Sequence, residues 1–210
     1  MKQQECIYQL PVNKPENPVI IDLGCYLGYE SLKLIKFYNP SLMISVDAVQ
    51  ELINVVENKS TLYPNWKTDC CIVSDITGVG SIMLHHSPSL GNNLCANRTG
   101  GTFERVLPTK RIVDIHPTPN IIKCDIESGE WVIWDQFLEI PSLDIIFLEL
   151  HGGEDADAYN KIDRLGEKFN LRFYQYQQSQ TEGIDLTIEM ERHQWKNEKA
   201  SYCHILAERK

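Results

Sequence analysis

With 210 residues, 42% of them hydrophobic and 23% charged, the chain has the composition of one globular domain large enough for a full core. Its net charge of −9 speaks against non-specific nucleic-acid binding, which rests on Lys and Arg neutralising phosphates. No stretch approaches the ~18 apolar residues of a membrane span or resembles a secretory leader, so a cytoplasmic, non-membrane protein is expected.

Residues 1–18 carry Pro11, Pro15 and Pro18 and read as an extended lead-in. Val19 to Leu23 is an apolar run broken only by Asp22, as a central parallel strand should be. The turn Asp22-Leu-Gly-Cys-Tyr-Leu-Gly28 follows, then a helix from Tyr29 to Tyr38 that Asn39-Pro40 stops. Strand two is Leu42 to Val46, ending at Asp47, and a helix over Gln50 to Asn58 turns Leu52, Ile53, Val55 and Val56 inward. Strand three is expected over Cys70 to Ser74, ending at Asp75.

The rhythm then breaks. Residues 76–118 read as an insertion, with a turn at Gly78-Val-Gly80, a strand from Ser81 to Leu84, a long polar loop after His85, and a short returning strand from Arg111 to Ile115. A loop of that length is expected to serve as a lid or acceptor-binding segment. Alternation resumes with strand four at Asn120 to Asp125, a helix from Glu130 to Phe137, and strand five over Asp144 to Leu150. Ala156, Tyr159, Ile162, Leu165 and Phe169 recur at helical spacing, and Leu171 to Tyr176 and Tyr202 to Ala207 are two final strands. The expected fold is α/β: a seven-stranded, mostly parallel Rossmann-like sheet closed by an antiparallel hairpin, with helices on both faces, in a single domain spanning 1–210.

The cysteines number seven and none has CxxC spacing. Cys25, Cys70, Cys71, Cys124 and Cys203 lie in or beside apolar runs and are read as buried, reduced thiols. Trp131 and Trp134, three apart on one helix, are read as core.

The turn after strand one selects among nucleoside cofactors. A dinucleotide loop needs glycine at its third and sixth positions, where Tyr26 and Tyr29 stand, and no Gly-Lys-Ser/Thr loop is present. What remains suits a cofactor with a ribose and a positive centre but no phosphate: S-adenosyl-L-methionine. Gly24 and Gly28 serve the turn and the approach of the cofactor, with Cys25 and Tyr26 between them. Asp22 orients the loop or meets the cofactor's amino group. Asp47, beside Ala48, takes the ribose hydroxyls. Asp75, beside Ser74, stands where the adenine amino group is expected.

Two motifs carry a resemblance. Asp22-Leu-Gly-Cys-Tyr-Leu-Gly-Tyr-Glu-Ser31 is similar to the opening motif of FkbM-type methyltransferases, and Ile122-Lys-Cys-Asp-Ile-Glu-Ser-Gly-Glu130 to that family's lysine-x-Asp-x-Glu-Gly-x-Glu signature. Leu148-Glu-Leu-His151 fits its last parallel strand. The family usually has Asn at Tyr26, Glu-Pro at Asp47-Ala48 and Gly at Ser128. The resemblance implies a class I methyltransferase fold and O-methylation, often of sugars or polyketide-like products.

An alcohol acceptor benefits from a general base at the carboxyl end of the sheet. Asp125, Glu127, Glu149 and His151 all map there. His151 is a natural base near neutral pH. Alternatively Asp125 or Glu127 takes the proton with His151 as partner, or these three hold Mg²⁺ or Mn²⁺, or the carboxylates only cap the next helix. His85, His86 and Glu149 are candidate acceptor contacts, and the segment from His85 to Phe103 is expected to fold over a saccharide or other small-molecule acceptor. His116 also flanks that loop, but no cysteine or carboxylate spacing completes a zinc set around the histidines. The rival readings are a binding module of the same fold and an RNA ribose methyltransferase.

Overall fold

The computed structural model describes residues 7–85, 102–151, 157–178, 185–190 and 202–210. Its main sheet begins with β1 (Val19–Leu23), flanked by β2 (Leu42–Asp47) and then β3 (Trp66–Cys70) on one side. On the other side lie β7 (Ile121–Cys124) and β8 (Ile145–His151). These five strands are parallel. The sheet is extended by β11 (Tyr202–Arg209), which runs antiparallel between β8 and β9 (Phe169–Gln178). This is the expected architecture, with one addition. The sheet has eight strands, not seven, because β10 (Asp185–Met190) pairs antiparallel on the outer edge of β9. Leu186, Ile188 and Met190 alternate with polar residues there, a strand pattern that the sequence reading passed over as a polar connection.

The alternation of β1 sorts the core. Ile21 and Leu23 face one layer, with Ile133, Trp134 and Phe137 of α4 (Glu130–Glu139) and Ile162 and Leu165 of α5 (Ala158–Lys168). Ile20 faces the other, with Leu34 of α1 (Tyr29–Tyr38) and Ile53 and Val56 of α2 (Gln50–Ser60). Trp131 and Trp134 are core as expected, stacked with ring centroids 5.1 Å apart. Truncating a fully buried tryptophan such as Trp134 to Ala costs about 3–5 kcal/mol.

Several sequence expectations are corrected. The lead-in is not merely extended: Ile7–Gln9 forms a helical turn whose Tyr8 is buried edge-on against Phe147, and Tyr38 donates to the Tyr8 carbonyl. Strand three starts earlier, at Trp66, and stops at Cys70. Ile72–Val73 (β4) leaves the main sheet and joins a second, three-stranded one with β6 (Thr102–Lys110) and β5 (Gly78–His85). Arg111 to Ile115 is no strand. Ile112–Ile115 is a short helix, α3, whose start is held by reciprocal Arg111 and Asp114 contacts. The insertion thus contains a β-hairpin standing beside the sheet. No described helix is long and apolar enough to cross a membrane. Cys25, Cys70, Cys71, Cys124 and Cys203 are free thiols, all but Cys70 buried.

Candidate functional site

The carboxyl ends of β1, β2 and β7 open into a cavity of about 390 Å³. Two glycines with left-handed backbone bound the loop that lines it. Gly24 has φ +75, and a Cβ there would sit 1.7 Å from the Asp125 carbonyl oxygen. Its bareness therefore serves the close passage of one chain segment past another, and the same residue lines the cavity. Gly28, φ +76, starts α1 with looser neighbours, the nearest being Val56 at 3.2 Å. Tyr26 between them also has positive φ, 48, a conformation Asn tolerates and tyrosine rarely adopts. Its side chain is exposed.

Asp47 ties the two loops that bracket the cavity. One carboxylate oxygen accepts from the Val49 N–H at 2.9 Å, an Asx turn into α2, and the other from the Tyr26 N–H at 3.0 Å. Burial raises its pKa while these two N–H groups oppose the rise. Each oxygen keeps an acceptor position for a further hydroxyl.

Of the two roles expected for Asp22, orienting the loop or meeting the cofactor's amino group, its position is compatible with the first. It is fully buried beneath the loop, outside the cavity lining. Ser31 donates to it at 2.5 Å. Since Ser31 spends its proton there, Ser45 donates in the 2.8 Å Ser31–Ser45 contact, and Trp66 donates in turn to Ser45. On its other side Asp22 meets Lys123 Nζ at 3.1 Å. Lys123 donates to the Gly24 carbonyl at 2.8 Å and stands 3.8 Å from Asp125. Burial works to lower the Lys123 pKa, but Asp22 and Asp125 overcome it and hold the ammonium above its ordinary value. This lysine was legible in the sequence only as part of a motif. Its task, joining the loop after β1 to the end of β7, depends on the pairing of β1 with β7.

The cavity lining divides chemically. Glu30, Asp47, Asp125 and Glu127 are acidic; Leu52, Ile72, Val73 and Ile82 are apolar and come from α2 and the small sheet. Ser74 and Asp75 do not line it. Because strand three ends early, Cys71, Ile72 and Val73 occupy that wall, and Asp75 is exposed, accepting from the Ser74 hydroxyl at 3.0 Å. Ala48 and Cys25 do line it. Burial, then Asp22 and Asp47, push the Cys25 thiol up, and burial pushes Cys71 to about 12, so neither is a nucleophile at neutral pH.

Beside the acidic wall is a cluster around His151. Its Nε2 stands 3.7 Å from Asp125, 3.8 Å from Glu127 and 3.7 Å from Glu149, and its Nδ1 3.5 Å from Glu130. The structure thus brings together the four residues the sequence placed at the ends of strands four and five. Trp131 fixes the end of β8 by donating to the His151 carbonyl at 3.1 Å. Burial would lower the His151 pKa, but Glu130, Asp125 and Glu127 raise it to about 9. The surrounding carboxylates thus favour the protonated imidazole. Burial, reinforced by Asp125, raises Glu149 to about 7. Glu127 and Ser128 both have positive φ, 54 and 77.

His204 was not anticipated. It lies opposite Glu149 across the β11–β8 register, its Nε2 3.9 Å away, and burial lowers its pKa to about 4 despite Asp125. Only strand pairing reveals it. His116 lies outside the cavity and accepts from the Thr118 N–H. His85 ends β5, and the His86 assignment lies outside the described residues, as does most of the segment expected over the acceptor.

No protein-family model matches the sequence, and no curated protein does either. Solved structures do match in fold. The methyltransferase FkbM from Methylobacillus flagellatus KT superposes with a TM-score of 0.56 at 12% identity, over 96% of this chain and 48% of that one. A dimethyladenosine transferase from Plasmodium falciparum superposes with a TM-score of 0.50 at 11% identity, over 94% of this chain and 57% of that one. The chain thus spans about half of each. It has the class I methyltransferase fold.

Proposed function

We propose that the chain is an S-adenosylmethionine-dependent O-methyltransferase of FkbM type, acting on a hydroxyl of a saccharide or glycosylated small molecule. The observation that carries the reading is Asp47. It stands at the end of β2, lines the cavity, is oriented by two backbone N–H groups, and keeps acceptor capacity on both oxygens. That is the requirement of a ribose with two adjacent hydroxyls and no phosphate. The apolar wall of Leu52, Ile72, Val73 and Ile82 suits an adenine ring, and the acidic wall a sulfonium.

When bound, S-adenosylmethionine would supply an electrophilic methyl group to an acceptor hydroxyl, leaving as S-adenosylhomocysteine. The hydroxyl proton passes to Asp125 or Glu127, which line the cavity. Positioning supplies up to about 7–11 kcal/mol of such a step, and a base roughly 10²–10⁴ in rate. With His151 protonated, its part is to hold these carboxylates in place.

Calorimetric titration with S-adenosylhomocysteine tests the reading. Micromolar binding that Asp47→Ala abolishes is expected, followed by transfer of labelled methyl from the cofactor to a panel of sugars. Absence of binding to the wild-type chain would sink it.

A further inference from the structure

We infer that Arg105 is a positioning residue for the bound nucleoside: by clasping Glu51 it holds the β5–β6 hairpin against α2 and so keeps Ile82 in the apolar wall that takes the base. The base's place on that wall rests on the proposed transferase reading; the clasp itself does not.

The hairpin has two unlike faces. Along β6, Glu104, Val106 and Pro108 are exposed, while Arg105, Leu107 and Thr109 are partly or fully buried. The register sets Ile82 of β5 opposite Arg105, and Gly80 opposite Leu107. Residues opposite one another in an antiparallel pair project from the same face. Ile82 and Arg105 therefore stand side by side, and two neighbours on α2, Leu52 and Glu51, receive them. Both terminal nitrogens of Arg105 donate to the Glu51 carboxylate, one to each oxygen, at 2.8 Å. Ile82 shares a small apolar cluster with Val49, Leu52 and Ile72, and Leu107 packs against it. Those four buried residues all line the cavity. The ion pair and the apolar wall are thus adjacent parts of one contact.

Its place along the hairpin gives the clasp leverage. The root of the hairpin is fixed where β4 pairs with Thr109 and Lys110, and Lys110 meets Asp69 at 2.6 Å. Arg105 precedes Lys110 on β6 by a span of roughly 17 Å, at about 3.4 Å per residue. A contact that far from the root governs the angle of the hairpin, and a guanidinium fork on a carboxylate fixes direction as well as distance. The Arg105 hydrogen bonds hold the Glu51 carboxyl at about 2, so the pair is charged throughout the neutral range. The Glu51 side chain is 67% exposed, and so open a pair adds little to global stability. Its effect falls on where Ile82 stands.

The test is calorimetric titration of the full chain, its Arg105→Met and Glu51→Ala variants and the double variant. The ligands are S-adenosylhomocysteine and methylthioadenosine, an uncharged nucleoside thioether. Each single variant should weaken both ligands by about threefold or more, within the reach of one exposed pair, while the melting temperature stays within about 2 °C of wild type. The double variant should be no weaker than the singles, because the same interaction is removed once. Raising sodium chloride from about 0.05 to about 0.5 M should weaken methylthioadenosine binding to the wild-type chain and not to the variants, since the ligand itself carries no charge to screen. Amide hydrogen exchange over residues 78–83 and 104–109 of the ligand-free chain should quicken in the variants. With both ligands bound by the wild-type chain, a smaller loss of affinity, additive losses in the double variant, salt-insensitive binding, unchanged exchange or a larger fall in melting temperature would each overturn the role of Arg105. A wild-type chain that binds neither ligand would overturn the transferase reading, and the nucleoside role of Arg105 with it; quickened exchange would still mark the clasp.

Discussion

Replacing Lys123 by Met tests whether the loop after β1 is held by a buried charge pair. The Lys123 side chain is 7% exposed and that of Asp22 is 0%. The substitution preserves the apolar stem but leaves Asp22 as a buried carboxylate without its counter-ion and removes the donor to the Gly24 carbonyl. Breaking such a pair from one side costs about 3–5 kcal/mol. Ser31 still donates to Asp22, so the lower end, about 3 kcal/mol, is expected. Against a total stability of roughly 5–15 kcal/mol this is a large fraction. At about 2–4 °C per kcal/mol for a chain of this size, the melting temperature should fall by roughly 6–12 °C. Urea and thermal unfolding followed by circular dichroism measure it. The double variant Asp22→Asn with Lys123→Met removes both charges and keeps the Ser31 contact, so it should recover most of the loss. A single variant less than about 1 kcal/mol below wild type, or a double variant no better than the single, would refute the account.

Three further outcomes follow from the same geometry. Gly24→Ala should cost several kcal/mol, because left-handed backbone alone costs about 1–2 kcal/mol and the new Cβ meets a backbone carbonyl; Gly28→Ala should stay near the backbone term, and an equal effect at both positions would contradict the packing argument. Ser128→Gly relieves the same strain and should stabilise the chain by up to about 1 kcal/mol in denaturant melts, with a loss marking an unrecognised role for the hydroxyl. Nuclear magnetic resonance should find His151 titrating near 9, above its unfolded 6.5. Because the folded state binds this proton more tightly, the stabilisation is complete below pH 6.5 and is lost as pH rises through 9. Glu149, raised from 4.5 to about 7, acts in the same direction over its own window, and an imidazole titrating below 6.5 would show that the surrounding carboxylates do not govern it.

Local order was legible in the sequence because it follows from local chemistry. The apolar runs of β1, β2, β7 and β8, the glycine turn into α1 and the acids at strand ends were all visible as periodicity and punctuation. So was the gathering of Asp125, Glu127, Glu149 and His151, since residues at the carboxyl ends of adjacent parallel strands must meet. What escaped depended on partners remote in the chain. Trp66 starts β3 through its pairing with Met43, and β4 goes to β6 instead, which swings Asp75 into solvent and puts Ile72 and Val73 at the cavity. Gly24 is required by Asp125, Asp22 is claimed by Lys123, and His204 faces Glu149, each across a strand pairing that no local pattern announces. Charge states belong to this second class. A histidine alone titrates near neutrality; the one at the end of β8 is set by four carboxylates that only the folded sheet assembles.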